Sequence, residues 1–196
     1  MQYKGYILSF LGKQYHKHQM VMQLHIGALR NNSKRRFETL GTDTDFDSMN
    51  DFNYAPQLSE LLNSMDMTNQ LPKVVLYNLN PKDNAMLITM AGNFNDAPNR
   101  GKVQFGVPWW FNDYQKGMKE HLESLASMGV LSVFIGMLTD SRSFLSFTRH
   151  EYFKRILCNY IGELVENGEY FDDEEFLGEL VQNICLNNAK NYFGLK

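Results

Sequence analysis

The stretch LPKVVLYNLNPKDN, residues 71–84, combines a strand pattern with the start of a helix. Within it, KVVLYNL at 73–79 is an almost unbroken apolar run, which is typical of a strand that is buried on both faces. Pro81 follows at a position that is typical of the first turn of a helix. Residues 71–84 therefore predict a β-strand followed by a helix, the repeating unit of a parallel α/β fold.

The same alternation of strands and helices extends along the chain in both directions. Apolar residues at helical spacing predict helices at about 3–15, 55–66, 114–128, 146–166 and 172–192, and apolar runs predict further strands at 19–26, 101–106 and 130–138. Residues 28–54 are rich in Asn, Asp, Ser and Gly, so we expect a long loop there with at most a short helix. The whole chain, 1–196, is expected to be a single α/β domain.

Four β/α units allow two architectures. They correspond to half of a (β/α)8 barrel, and they are equally compatible with a small doubly wound sheet. The pattern of elements does not choose between the two, and for a complete chain it slightly favours the doubly wound sheet.

The composition restricts the partners and the location of the protein. The net charge is −3 and no apolar run is long enough to span a membrane, so neither nucleic acid nor a membrane is expected as a partner. The N-terminal residues have no signal-peptide pattern, which favours the cytoplasm. Cys158 and Cys185 both lie in apolar helical patterns, and we expect them to be buried free thiols.

Polar and aromatic side chains follow each predicted strand at the point where the strand ends. Because the active sites of parallel α/β folds lie at the carboxyl ends of the strands, these side chains are the candidate site. They are His25, Arg30, Asn31 and Asn32 after the first strand, Asn78 and Asn80 after the second, Trp109, Trp110, Asn112 and Asp113 after the third, and Asp140 and Arg142 after the fourth.

The chemistry of these side chains suits a metal and a small acid. His25 can ligate a metal as a neutral imidazole, and Asp140 can be a ligand or a general base. Arg30 and Arg142 can each hold a carboxylate through paired hydrogen bonds. Structural roles remain open beside these: a hydrogen-bonding histidine, an Asp140 that caps the next helix, and a tryptophan pair, at 109–110, that fills the core or forms a lid.

Two other groups that contain histidine are not expected in this site. His16 and His18 form an HxH pair before the first strand, whereas His25 lies at its far end. At about 3.3 Å per residue, His18 and His25 are roughly 23 Å apart and cannot share one ion. We expect the HxH pair on the surface at the opposite rim, and the RHE sequence at 149–151 to be structural.

Several long segments give a resemblance that covers essentially the whole chain. They are MQLHIGALRNN (22–32), GTDTDFDS (41–48), LPKVVLYNLNPKDN (71–84), GKVQFG with WWFND (101–113), GMLTDSRSFLSFTRHEYFKRILCN (136–159) and ICLNNAKNYF (184–193). Together they resemble the C-terminal part of the glucuronate (uronate) isomerases of the amidohydrolase superfamily. The resemblance implies the barrel architecture, with the four strands as the fifth to eighth of a (β/α)8 barrel, followed by C-terminal helices.

The resemblance also implies roles for individual residues. His25 and Asp140 match metal ligands, and Asp140 matches the proton-transfer group. Arg142 matches an arginine that contacts the substrate. Arg30 with Asn31 and the tryptophan pair Trp109–Trp110 match the loops that enclose the uronate.

The resemblance further implies a divalent metal ion, which we expect to be zinc, in a site that this chain does not complete. Family members carry a further HxH pair and a nearby tyrosine and histidine on an N-terminal half of the barrel, which has no counterpart here. That half is the expected partner, and the full-length protein is expected to be a homo-oligomer.

Three hypotheses for function follow. The first is aldose–ketose isomerisation of D-glucuronate to D-fructuronate and of D-galacturonate to D-tagaturonate through an enediol(ate), with this chain inactive alone. The second is metal-dependent hydrolysis of the amidohydrolase type. The third is a non-catalytic half-barrel, whose exposed sheet edges would favour association.

Overall fold

The computed structural model describes residues 2–141 and 143–195. Helices outnumber strands in these residues, and the strands form one parallel sheet and one short antiparallel ribbon. The elements in chain order are α1 (Gln2–Lys17), β1 (Met22–Ile26), β2 (Ala28–Leu29), α2 (Lys34–Leu40), β3 (Ser48–Met49), α3 (Ala55–Asp66), β4 (Val74–Asn78), α4 (Asn84–Gly92), β5 (Val103–Phe105), α5 (Gln115–Met128), α6 (Thr148–Glu166), α7 (Glu174–Gln182) and α8 (Asn188–Phe193).

The parallel sheet has the strand order β1-β4-β5. Strand β4 lies in the centre, and all five of its residues are buried, as the apolar run at 73–79 predicts. Its register pairs His25 of β1 with Tyr77 of β4, and Leu76 of β4 with Phe105 of β5. Strand β1 lies at the edge and is buried only at Met22, because one side of an edge strand has no neighbouring strand within the described residues.

The helices cover the sheet with their apolar faces. Helix α3 buries Leu58, Leu62 and Met65, as its apolar spacing predicts, and α5 and α6 bury similar faces. In α1, by contrast, Tyr3, Tyr6 and Phe10 are exposed although they also have helical spacing. Helix α1 packs on α3, and α5 packs on both α4 and α6. A turn of π-helix, Asn183–Asn187, joins α7 to α8.

The prediction of a strand at 130–138 is wrong. The segment begins with a turn of 3-10 helix at Leu131–Val133 and continues without regular structure. Two of its backbone carbonyl groups accept hydrogen bonds from side-chain amides instead of from a neighbouring strand. Gln104 Nε2 donates to Val133 O at 3.0 Å, and Asn188 Nδ2 donates to Phe134 O at 2.9 Å. Gly136 then adopts a φ of +73°, which a strand does not allow. Phe134 and Ile135 are buried whereas Val130 is exposed, and no strand ladder forms in the segment.

The long polar segment 28–54 is more ordered than expected. Strands β2 and β3 pair antiparallel across it, and α2 (Lys34–Leu40) is the short helix that the sequence allows there. Asp47 anchors the turn before α2, because its Oδ1 accepts a hydrogen bond from the backbone N–H of Asn31 at 2.7 Å. Asn31 has a φ of +59°, a left-handed conformation that asparagine tolerates well.

Two further expectations concern the cysteines and membranes. Both cysteines are free thiols, but the expectation that both are buried is wrong, because Cys158 is exposed on α6 and Cys185 is only partly buried. Within residues 2–141 and 143–195, no helix has the length and apolar character needed to cross a membrane.

Candidate active site

His25 and Asp140 face each other at the carboxyl end of the sheet. His25 is the fourth residue of β1, and Asp140 follows the irregular segment beside β5. The Nε2 atom of His25 lies 3.6 Å from Oδ2 of Asp140. The two side chains are 28% and 48% exposed, so both can be reached from solvent. Asp140 has a φ of +43°, an uncommon conformation that non-glycine residues adopt most often where the surrounding structure imposes it.

The surroundings of His25 favour its neutral form. Burial lowers the pKa of His25 below its ordinary value of 6.5, and the Asp140 carboxylate opposes this effect more weakly. At neutral pH the contact therefore joins a neutral imidazole to a carboxylate and is not an ion pair. A neutral imidazole nitrogen and a carboxylate oxygen are both ligands for zinc.

The described residues supply the kinds of ligand atom that a divalent metal ion binds, but they supply too few of them. His25 and Asp140 contribute one nitrogen and one oxygen, whereas a catalytic zinc site normally has three protein ligands. Outside Met1, Arg142 and Lys196, no group of three His, Cys, Asp or Glu side chains is arranged to hold a metal ion. His16 and His18 are exposed and precede β1, and His16 Nδ1 contacts Leu71 O at 3.1 Å, before β4 begins. They lie at the opposite rim, as expected.

Aromatic rings surround the imidazole of His25. The ring of Tyr77 stacks on it with centroids 4.5 Å apart and planes at 15°. The ring of Trp109 meets it edge-on at 4.8 Å, and Trp110 follows with its centroid 5.7 Å from that of Trp109. The tryptophan pair thus lines one side of the candidate site.

Arg30 lies against this tryptophan pair. Its guanidinium carbon is 4.9 Å from the ring centroid of Trp110, and its Nη1 is 2.9 Å from Oδ2 of Asp47. The Asp47 side chain is only 4% exposed, which makes this a well-fixed pair. The structure therefore brings Arg30 to the site, with part of its charge already balanced by Asp47.

Asn31, Asn78 and Asn80 make contacts that stabilise local structure. The backbone of Asn31 is used in the turn with Asp47. The side chain of Asn78 donates to Asn80 O at 2.7 Å and to Asn84 Oδ1 at 2.8 Å, which ties the end of β4 to the start of α4. Contacts of this kind are typical of asparagines in turns.

Arg142 lies outside the residues that the structure describes, and its role stays a prediction. Its described neighbours Asp140 and Ser141 border an open cleft of about 590 Å³, which Leu138, Thr139 and His150 complete. A second, enclosed cavity of only about 10 Å³ lies between His25, Tyr77, Trp109, Trp110, Asp113 and Asp140. That is the size of about one water molecule. The two cavities meet at Asp140, the small one beside His25 and the large one open to solvent.

Sequence reasoning missed three contributors to this site. Tyr77 looked like an ordinary core residue of a buried strand. Arg149 forms an ion pair with Asp113, whose side chain is 4% exposed, and His150 borders the open cleft. Burial raises the pKa of Asp113, and Arg149 only partly opposes this. The signal was available for 149–151, because a helix that follows a strand begins at the same edge of the sheet where the strand ends.

Comparisons with known proteins agree with this arrangement. The model of the glucuronate isomerase family matches residues 1–193. A uronate isomerase of Salmonella arizonae is 58% identical over 195 residues, which are 100% of this chain and 42% of that protein. The chain thus spans less than half the length of the curated relatives it matches.

Solved structures give the same result. A crystal structure of uronate isomerase from Thermotoga maritima matches with a TM-score of 0.87 and 39% identity, over 97% of this chain and 40% of that one. A crystal structure of glucuronate isomerase from Caulobacter crescentus matches with a TM-score of 0.85; at 24% identity it supports the fold alone. The chain belongs to the glucuronate isomerase family.

Proposed function

We propose that this chain carries part of the active site of a uronate isomerase, which interconverts D-glucuronate with D-fructuronate and D-galacturonate with D-tagaturonate. The observation that carries the proposal is the contact of 3.6 Å between His25 Nε2 and Asp140 Oδ2, in a chain that belongs to this family. The family match does not favour the alternative of metal-dependent hydrolysis.

Asp140 is the proposed proton-transfer group. Isomerisation requires a base that removes the proton from C2 of the open-chain aldose, which leaves an enediol(ate), and an acid that returns a proton to C1 while the C2 hydroxyl loses its proton to become the ketone. A single carboxylate can do both in turn. Asp140 suits this role because it borders the open cleft and is about half exposed.

His25 and Asp140 would hold a divalent metal ion, which we propose to be zinc. When bound, such an ion polarises substrate oxygens and stabilises the negative charge of an enediolate. His25 contributes by keeping its imidazole neutral and directed at Asp140. The remaining ligands would come from residues beyond those the structure describes.

The substrate would be held by the wall of the cleft. Arg30 and Arg142 are the proposed contacts of the uronate carboxylate, with Asn31 in the adjoining turn. Trp109 and Trp110 would pack against the sugar, because their rings border the enclosed cavity beside His25. The ion pair between Arg30 and Asp47 would fix the guanidinium over Trp110 before substrate arrives.

We also propose that the parallel sheet is part of a (β/α)8 barrel, as its fifth to seventh strands, with the irregular segment in the place of the eighth. Four adjacent positions in a flat sheet, at about 4.8 Å each, would put the first and the last roughly 14 Å apart. The meeting of His25 and Asp140 across that width favours a sheet that is concave towards the site. The unpaired edge of β1 within the described residues is where the barrel would continue.

The proposed partner is the rest of the family fold, which makes up the other part of the relatives' length. With two of the required ligands, the 196-residue chain is expected to be inactive alone. The assembled protein is proposed to be a cytoplasmic homo-oligomer.

The test is to co-express this chain with the part of the Salmonella arizonae relative that it does not match, and to assay both uronates with zinc. We expect isomerase activity from the pair and none from the chain alone. His25→Asn and Asp140→Asn should each lower kcat/KM by at least about 100-fold. The matched controls His18→Asn and Asp172→Asn change the same residue types at exposed positions away from the site and should retain activity.

Ester or amide hydrolysis without uronate turnover by the assembled pair would support the hydrolase hypothesis instead. Retained isomerase activity in Asp140→Asn would remove Asp140 from the mechanism.

A further inference from the structure

The imidazole of His25 is oriented without hydrogen bonds. Among residues 2–141 and 143–195, neither of its ring nitrogens has a hydrogen-bond partner, and Asp140 Oδ2 lies 3.6 Å from Nε2, just beyond hydrogen-bonding distance. Histidines that bind metals usually donate their second N–H to a carboxylate or a carbonyl, which fixes the ring. Here the orientation has to come from packing.

Tyr77 supplies the largest contact of this kind. Its ring is fully buried and nearly parallel to the imidazole, with centroids 4.5 Å apart. The two residues are register partners on adjacent strands, so their side chains leave the sheet side by side on one face. Tyr77 Oη donates a hydrogen bond to Gln23 Oε1 at 2.8 Å, and Gln23 lies on the same face of β1 as His25. The tyrosine is thus tied to the strand that carries the histidine.

Gly106 supports the tyrosine from the other side. A Cβ atom at residue 106 would lie 2.1 Å from Cε1 and 2.4 Å from Cδ1 of Tyr77, far inside van der Waals contact. The backbone cannot withdraw easily, because Gly106 N–H donates to Leu76 O at 2.8 Å and Gly106 O contacts His121 Nε2 at 2.8 Å. The space above this glycine therefore determines where the tyrosine ring lies.

We propose that Tyr77 is a positioning residue for His25, and that Gly106 is glycine because any side chain there would displace the Tyr77 ring. The order of contact is Gly106, Tyr77, His25, Asp140. The inference rests on the proposed function only in taking His25 as the ligand whose direction matters. The alternative is that Tyr77 merely fills the core, in which case the direction of the imidazole would not depend on its ring.

The test is NMR of the metal-free chain, with the ring signals of His25 assigned by their loss in His25→Gln. In the wild type we expect nuclear Overhauser effects between the His25 and Tyr77 rings, and His25 ring protons shifted upfield by the stacked tyrosine. Tyr77→Phe keeps the ring and loses only the bond to Gln23, so it should leave these signals near their wild-type positions. Tyr77→Leu and Gly106→Ala should move them downfield, and should also weaken the Overhauser effects between the His25 and Trp109 rings, which depend on the direction of the imidazole.

The ring signals of His16, which contacts Leu71 O at 3.1 Å, are the control for folding in every variant. The signals of His121 are a second control for the Tyr77 variants only, because its Nε2 contacts Gly106 O. Absence of the Overhauser effects in the folded wild type would overturn the proposal, and this measurement does not depend on whether a variant folds. It would also be overturned if Tyr77→Leu left the His25–Trp109 Overhauser effects unchanged, or if Tyr77→Phe changed them as far as Tyr77→Leu. No metal or substrate is used, so a failure of isomerase activity with these signals as expected would count against the proposed function alone.

Discussion

The Nε2 atom of His25 lies 3.6 Å from Oδ2 of Asp140, although β1 is one edge of the parallel sheet and Asp140 follows the segment beyond the other edge. The two residues are far apart in the sequence, and both side chains line the small cavity at the carboxyl end of the sheet. The neutral imidazole nitrogen of His25 and the carboxylate of Asp140 therefore lie side by side, and the proposed metal site is based on this arrangement.

The contact predicts a change in the pKa of His25. Burial lowers this pKa, and the Asp140 carboxylate raises it by attraction to the imidazolium form. Asp140→Asn removes the opposing attraction, so the pKa of His25 should fall further below 6.5. An NMR titration of the metal-free chain measures it, with Asp172→Asn as a control that should leave it unchanged. A rise in Asp140→Asn would mean that the carboxylate does not face the imidazole in solution.

His121 predicts how stability depends on pH. It is completely buried, contacts Gly106 O through Nε2, and has a pKa lowered to about 4 by burial. The unfolded chain binds a proton near pH 6.5, so the stabilising effect of the neutral form is complete above that pH and is lost as the pH falls towards 4. The loss should reach about 3 kcal/mol in the free energy of unfolding.

Urea unfolding between pH 7.5 and pH 4 measures this loss. His121→Gln still has a side-chain N–H donor but does not titrate. The free energy of unfolding of this variant should therefore change less over the same pH range. If both proteins lost stability equally, other groups would account for the acid sensitivity.

Two ion pairs of α6 should differ in how much they stabilise the protein, because the Arg149–Asp113 pair is largely buried on the Asp113 side and the Arg155–Glu151 pair is exposed. Arg149→Met would leave the buried Asp113 carboxylate without a partner, and we expect a loss of about 2–3 kcal/mol in the free energy of unfolding, reduced from the value for fully buried pairs because Arg149 is partly exposed. The control is Arg155→Met on the same helix, whose partner Glu151 is 60% exposed. That change should cost less than about 1 kcal/mol. Equal effects would show that Asp113 is solvated.

Substitution of Gly136, in the irregular segment, can be compared with substitution of Gly168, which has the same backbone conformation elsewhere in the chain. Both have a φ of +73°, but a Cβ at 136 would lie 2.2 Å from Ile184 O, whereas nothing lies within 4 Å of a Cβ at 168. Gly168→Ala measures the backbone cost alone, about 1 kcal/mol. Gly136→Ala adds a clash with the backbone and should cost at least about 3 kcal/mol. Thermal unfolding of the two variants gives the comparison, and similar values would mean that the segment can move away from Ile184.

Local patterns predicted most of the elements. The helix at 55–66 lies where its apolar spacing places it, and the central strand is buried throughout because KVVLYNL is apolar on both faces. The rule that polar residues after parallel strands share one edge correctly brought His25, Trp109 and Asp140 together. The resemblance carried by the motifs predicted the family.

The apolar run at 130–138 predicted a strand that does not form, because apolar character reports burial and not the source of hydrogen bonds. Gln104 and Asn188 reach that segment from other elements, and no pattern within the run reveals them.

What the sequence alone determined is therefore most of the elements, most of their buried faces and the family, since these depend on the periodicity and identity of neighbouring residues. Only the tertiary structure decided that Tyr77 stacks on His25, that Gly106 leaves room for it, and that Arg149 holds Asp113. These contacts join residues from different strands and helices, and their directions are set by how the elements pack.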